Sequence, residues 1–223
     1  MGRMPSSSGR RAAAWLSLVL GLLFVPAVGR AGQASAADDA TTRLDRGETV
    51  VIDQTLESKG HRYVGGVTYT IIDATPGELL GLFEDVSAYK QVLPRTKQAR
   101  LIGMNDGDRF VELRQGNSMV ETSYTIRVHQ EPDTHGPGTI FRFWLDRTKP
   151  HGIEDAWGYF RLEPVADGPT GAPRVLLTYG ILVDIGPGLV RDLFEEPLRE
   201  MALTVPQRVR EYALAHFRSG GRA

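Results

Sequence analysis

The chain has 223 residues, 41% of them apolar and 24% charged, enough for one ordinary core plus an additional N-terminal segment. Net charge is −1, yet Arg3, Arg10, Arg11 and Arg30 fall in the first 36 residues without an acid, and the remainder holds 22 basic against 27 acidic residues, which argues against nucleic acid or an anionic bilayer as a purely electrostatic partner. Cysteine is absent, so disulfides and thiolate chemistry are excluded and stability must come from packing.

Met1 to Arg11 is polar and basic, Ala12 to Val28 is apolar apart from Ser17, and Ala34-Ser35-Ala36 is a small-x-small site. Residues 1–36 therefore read as a secretory signal peptide, which implies export, periplasmic or secreted, and a mature chain beginning near Ala37. The apolar run is short for a membrane span, although an uncleaved anchor is the competing reading. Residues 37–47 read as a flexible lead-in with little to bury, 48–218 as the folded domain, and 219–223 as a disordered tail.

Thr49 to Leu56 and Arg62 to Asp73 read as strands, with Gly65-Gly66 marking a bulge. Thr75-Pro76-Gly77-Glu78 is a capping box with proline at the first helical position, opening a helix whose apolar face is Leu79, Leu82, Phe83 and Val86. Ser87 is placed to cap a second short helix that packs Tyr89, Val92 and Leu93 and ends at Pro94. Five β-rich segments follow, Ala99–Met104, Arg109–Gln115, Met119–His129, Thr139–Asp146 and Ile153–Pro164, with connections suited to antiparallel hairpins, and Arg174–Asp184 is the last strand.

From Gly188 to Arg218, Val190, Phe194, Leu198, Met201, Val205, Val209 and Tyr212 recur at steps of three and four, flanked by Leu193 and Ala202. This stripe must lie on the strands, while Arg191, Asp192, Glu195, Arg199, Glu200, Arg210 and Glu211 meet water. Pro197 and Pro206 predict a short helical turn before the first and a kink near the second. The fold class is α+β: a curved antiparallel sheet wrapped around a long C-terminal helix, with two short helices.

Ala74-Thr75-Pro76, Leu79, Leu82-Phe83, Asp85, Tyr89 and Leu93-Pro94, then Trp157-Gly158, Pro164, Tyr179 and Pro187-Gly188 before a long helix, resemble the helix-grip superfamily of START-like, polyketide-cyclase and coenzyme Q-binding domains, Bet v 1-like in architecture. The resemblance covers roughly Tyr69 to Tyr212 and rests on order and spacing rather than on one short motif. It implies a cavity between sheet and helix for an apolar ligand; it does not by itself imply catalysis.

The histidines show no ligand-spaced pair, so neither a metal nor another cofactor is expected. No serine elbow or nucleophile with a recognisable base is present. Tyr124 and Tyr179 lie on strand faces that read as inward and carry hydroxyls into apolar space. The Thr139–Asp146 and Ile153–Pro164 strands leave two faces open. Either Phe141, Phe143, Leu145, Ala156, Gly158, Phe160 and Leu162 point to the core, or Arg142 and Asp155, beside Trp144 and Trp157, line the cavity as polar anchors.

Candidate ligand residues are Tyr124, Phe141, Phe143, Phe160, Tyr179, Leu193, Phe194 and Met201, with Arg142 and Asp155 as the alternative polar anchors. The expected partner is a lipid or other hydrophobic small molecule held by a monomer, with room for a transient membrane contact and none for nucleic acid. A cyclase-like or aromatase-like enzyme and a cavity-less interaction domain are the rival functions.

Overall fold

A computed structural model of the protein describes residues 39–58, 60–118, 121–169 and 171–217, without the side chains of residues 189–194. The signal-peptide and tail expectations, and Met119 and Val120 of the fifth strand, lie outside the described residues. Eight strands form one antiparallel sheet: β1 Val50–Ser58, β2 His61–Ile72, β3 Thr96–Asn105, β4 Asp108–Gly116, β5 Glu121–Pro132, β6 Thr139–Leu145, β7 Asp155–Val165 and β8 Arg174–Asp184. Their order is β1-β2-β8-β7-β6-β5-β4-β3, so the last strand inserts beside β2, and β1 and β3 become the sheet edges. The sheet is curved and open, and the helices pack on its concave side. These are α1 Pro76–Glu84, a 3₁₀ turn Val86–Ala88, α2 Tyr89–Val92, α3 Leu189–Leu203 and α4 Val205–His216.

Local chemistry fixes the helical corner. Thr75 accepts from the Glu78 N–H at 3.2 Å while the Glu78 carboxylate accepts from the Thr75 N–H at 2.7 Å, closing the expected box. The next turn is capped by Asp85, whose carboxylate accepts the Ser87 N–H at 2.9 Å, and not by Ser87. At the far end of α1, the buried Arg109 guanidinium donates to the Phe83 and Glu84 carbonyls at 3.2 and 3.1 Å and lies over the Phe141 ring.

Three expectations are corrected by tertiary geometry. Gly65-Gly66 is not a bulge, because both neighbouring registers run through it unbroken. At Gly65 and Gly66, both with φ near 152°, an added Cβ would stand 2.0 Å from the Ile181 carbonyl oxygen and 2.2 Å from that of Ile52, so the pair lets two strands close in. The irregular register belongs to edge strand β3, between Thr96 and Gln98 and between Leu101 and Gly103. Pro197 sits inside α3 without ending it, whereas the expected kink near Pro206 is present as the break at Thr204, with Pro206 in the first turn of α4, where its missing N–H costs nothing. Residues 39–45 are helical, and Leu44 is buried with Val50, Val67, Tyr69 and Leu176 on the convex face, so the described part of the lead-in is packed.

The flank of the C-terminal helices is also less wet than the stripe predicts. Arg62 on β2 holds Glu195 through two hydrogen bonds of 3.1 and 2.9 Å, Arg199 reaches Thr55 at 3.1 Å, and Arg210 donates to the Gly47 carbonyl. The helices cross β2 closely enough that the polar flank becomes a seam, with Thr68 donating to the Leu203 carbonyl at 3.2 Å beneath it. The main core joins α1, α2 and α4 to the inner faces of β4 to β8.

Candidate functional site

Strand periodicity builds the concave wall. Thr122, Tyr124, Ile126 and Val128 alternate inward from β5, and Tyr179, Ile181 and Val183 from β8. On β6 and β7 the apolar face is the inner one: Phe141 pairs with Phe160 and Phe143 with Gly158, and Phe160 in turn faces Tyr179. A Cβ on Gly158 would stand 2.5 Å from the Phe143 ring, so the missing side chain lets that ring lie flat against the sheet. Phe83 and Phe160 are 4.5 Å apart, Phe160 and Tyr179 4.5 Å, and Phe143 and Phe160 5.7 Å between ring centroids, a continuous aromatic floor.

Above this floor lies a cavity of about 250 Å³. Its inner end is closed by Phe83, Val92 and Val205, its roof by Pro197, Leu198, Met201 and Ala202 of α3, and its rim by Leu93, Pro94 and Arg95, Gly116 and Asn117, and Gly152 and Ile153. Of the sequence candidates, Tyr124, Phe141, Phe143, Phe160, Tyr179 and Met201 are brought together in its lining. The side chains of Leu193 and Phe194 lie outside the described residues.

Arg142 and Asp155 are corrected. Both lie on the convex face, because alternation that turns Phe141, Phe143 and Phe160 inward must turn them out. Arg142 pairs with Glu131 across β5, opposite Tyr159, while Asp155 takes the Tyr63 hydroxyl at 2.8 Å and Arg147 at 2.7 Å. Neither touches the cavity lining.

Polar atoms in the lining are few. Tyr124 donates to the side-chain amide oxygen Oε1 of Gln115, and the side-chain Nε2 of Gln115 donates to Thr96 Oγ1 at 2.8 Å and the Pro94 carbonyl at 3.3 Å. The Thr122 hydroxyl oxygen is buried and without a hydrogen bond among the described residues. Burial pushes both tyrosine hydroxyls well above the ordinary phenol range, and the proximity of Tyr124 adds to the effect on Tyr179. Both stay protonated donors. Among the described residues the lining contains no aspartate, glutamate, histidine or lysine, and the one charged side chain among them, Arg95, is exposed at the rim on a left-handed backbone with φ 54°.

Sequence reasoning missed the contribution of the helical corner and of Gln115. The rim of residues 93–95 depends on a loop conformation that no periodicity reveals; Gln115 could have been found from the β4–β5 register, which sets it opposite Thr122. It also missed two histidine–carboxylate pairs. His61 meets Asp184 and His129 meets Asp108, each at 2.8 Å, on the convex side. Among the described residues no cluster of histidine and carboxylates suits a metal ion, and no helix is long and apolar enough to cross a membrane.

An open sheet gripping a C-terminal helical pair, with a short helical corner after the second strand, defines the architecture. The fold is the START-like helix grip. Among solved structures it is similar to the STAR-related lipid transfer protein of Xanthomonas axonopodis, with TM-score 0.60 and 17% identity over 74% of this chain and 92% of that one. It is similar also to the lipid transfer and protein localization domain of human StarD13, with TM-score 0.51 and 9% identity over 83% and 98% of the two chains. The Zhui aromatase/cyclase of Streptomyces sp. R1128 aligns at TM-score 0.48 and 16% identity over 79% and 100%. No protein-family model matches the sequence, and neither does any curated protein.

Proposed function

We propose that the protein is an exported, monomeric carrier that holds one lipid or other apolar small molecule between its sheet and α3. The observation that carries this reading is a helix-roofed apolar cavity whose lining has a continuous aromatic floor and, among the described residues, no acid, histidine or lysine. Desolvation supplies the affinity, at roughly 25 cal/mol per Å² of apolar surface buried. A few hydroxyls fix orientation. Two of the similar structures are named for lipid transfer, which fits the same use of the fold.

The cyclase-like alternative needs a poised acid or base at the ligand. Tyr124 and Tyr179 are held too firmly protonated to serve as bases, and the histidine–carboxylate pairs stand on the opposite side of the sheet. Export follows from the signal-like first 36 residues, and N-terminal sequencing of exported protein tests it: a chain beginning near Ala37 is expected, whereas retained Met1 in a membrane fraction would mean an anchor. Native mass spectrometry of protein purified from its own host, followed by extraction, tests the carrier. An unmodified apolar molecule bound one to one is expected. Recovery of a chemically altered ligand after incubation would overturn binding without turnover.

A further inference from the structure

The hydrogen-bond inventory inside the cavity is unequal. Tyr124 is committed to Gln115, and Gln115 is committed to Pro94 and Thr96. Thr68, the cross-strand partner of Tyr179, spends its hydroxyl on the Leu203 carbonyl. Tyr179 itself is 3% exposed and stacked on Phe160 at an interplanar angle of 24°, so its ring cannot turn aside without breaking the floor. Its hydroxyl belongs to the cavity lining, where burial and the neighbouring Tyr124, and no hydrogen bond among the described residues, set its environment; the buried Thr122 hydroxyl further along the wall likewise has no partner among the described residues. A Cβ at position 152 would come within 2.3 Å of that Thr122 oxygen, so the glycine lets the loop backbone pack directly against the hydroxyl.

Buried donors of this kind are rarely left unmet in folded proteins. Resting on the cavity as the ligand site, we infer that its ligand is an uncharged molecule bearing an acceptor oxygen, a ketone, ester or alcohol, which receives the Tyr179 O–H within an otherwise apolar interior. The desolvated phenol remains a donor throughout the physiological range. An ionised carboxylate or phosphate is rejected there, because among the described residues no cationic side chain lines the cavity away from its rim, the buried Arg109 lying outside the lining on the Phe83 and Glu84 carbonyls, and an unpaired buried charge is far costlier than a neutral dipole. Arg95 does not change this, since it is exposed at the rim and screened by water.

The test is displacement of Nile red, an uncharged dye with a ring carbonyl, from the purified full chain at pH 8 by 2-decanone, 1-decanol, decanoate and hexylbenzene. Decanone and decanol are expected to compete at least about ten-fold better than decanoate. Tyr179→Phe should weaken decanone about five- to ten-fold relative to hexylbenzene within the same variant, a ratio that cancels any general loss of fold or cavity. Thr122→Val, isosteric and away from the aromatic floor, should weaken decanol relative to hexylbenzene by a smaller factor. Decanoate competing as well as decanone would overturn the inference and move the polar head to Arg95. An unchanged decanone-to-hexylbenzene ratio in Tyr179→Phe would overturn it too, while leaving the carrier intact. Failure of Nile red and hexylbenzene to bind at all would overturn the carrier reading itself.

Discussion

The two faces of the sheet come from the same strands and obey opposite rules. On the concave face the described cavity lining is mostly apolar, and the Thr122 and Tyr179 hydroxyls within it have no protein partner among the described residues. On the convex face charges are paired. Arg161 meets both Asp133 and Glu163, Asp155 meets Tyr63 and Arg147, and Arg127 lies between Phe110 and Trp144 in one cross-strand row while holding Asp108 at 2.8 Å. The paired charges of the convex face build structure, whereas the unpartnered hydroxyls of the concave face stand in the cavity lining.

The largest way to break this contrast is Phe141→Ala. The ring is 1% exposed, between Phe83 and the Arg109 guanidinium, so its loss should cost about 3–5 kcal/mol in urea unfolding. A cost under about 1 kcal/mol would mean that the inner wall collapses freely around it.

Asp133→Asn tests the convex face. Its side chain is almost wholly buried against Arg161, and truncating the charge should cost about 3 kcal/mol near neutrality. Burial alone would raise the Asp133 carboxyl, but the His135 N–H and the Arg161 guanidinium hold it below its ordinary value of 3.8. A depressed folded pKa gives stability that is present above the unfolded value and lost as pH falls through the folded one. Glu163 has the opposite sign, because burial raises it and proton uptake there favours the folded state. Unfolding measured downward from pH 5 should therefore show a steeper loss in the parent than in Asp133→Asn; parallel curves would remove Asp133 from the acid response.

Met201→Asp and Glu200→Ala sharpen the boundary between the faces of α3. The first puts an unpaired charge into the cavity roof and should cost about 2 kcal/mol and abolish Nile red binding; the second alters an exposed position and should stay within about 0.5 kcal/mol. Equal melting shifts would mean that α3 does not grip as described. The smallest effect belongs to Arg142→Ala. Its pairing with Glu131 is solvent-exposed, so stability should change by less than about 1 kcal/mol and apolar-ligand affinity not at all. A loss of affinity would return Arg142 to the cavity.

Periodicity and punctuation were sufficient for the strands, the Thr75–Glu78 box, the inward set on β5 and β8, and the stripe that carries Leu198, Met201, Val205 and Val209, because each depends on neighbours a few residues away. Those local signals determined the fold class and most of the apolar lining. They could not decide between Phe141 and Arg142 as the inward residue, since a two-residue period has two phases and only packing against Phe83 on α1 selects one. They could not foresee the continuous helix through Pro197, the close approach at Gly65-Gly66, or the histidine pairs at Asp108 and Asp184. Nor could they show that Tyr124 is spent on Gln115 while Tyr179 has no hydrogen-bond partner among the described residues, because a hydroxyl's availability depends on every group the fold brings within reach of it, and that is settled by contacts between residues far apart in the chain.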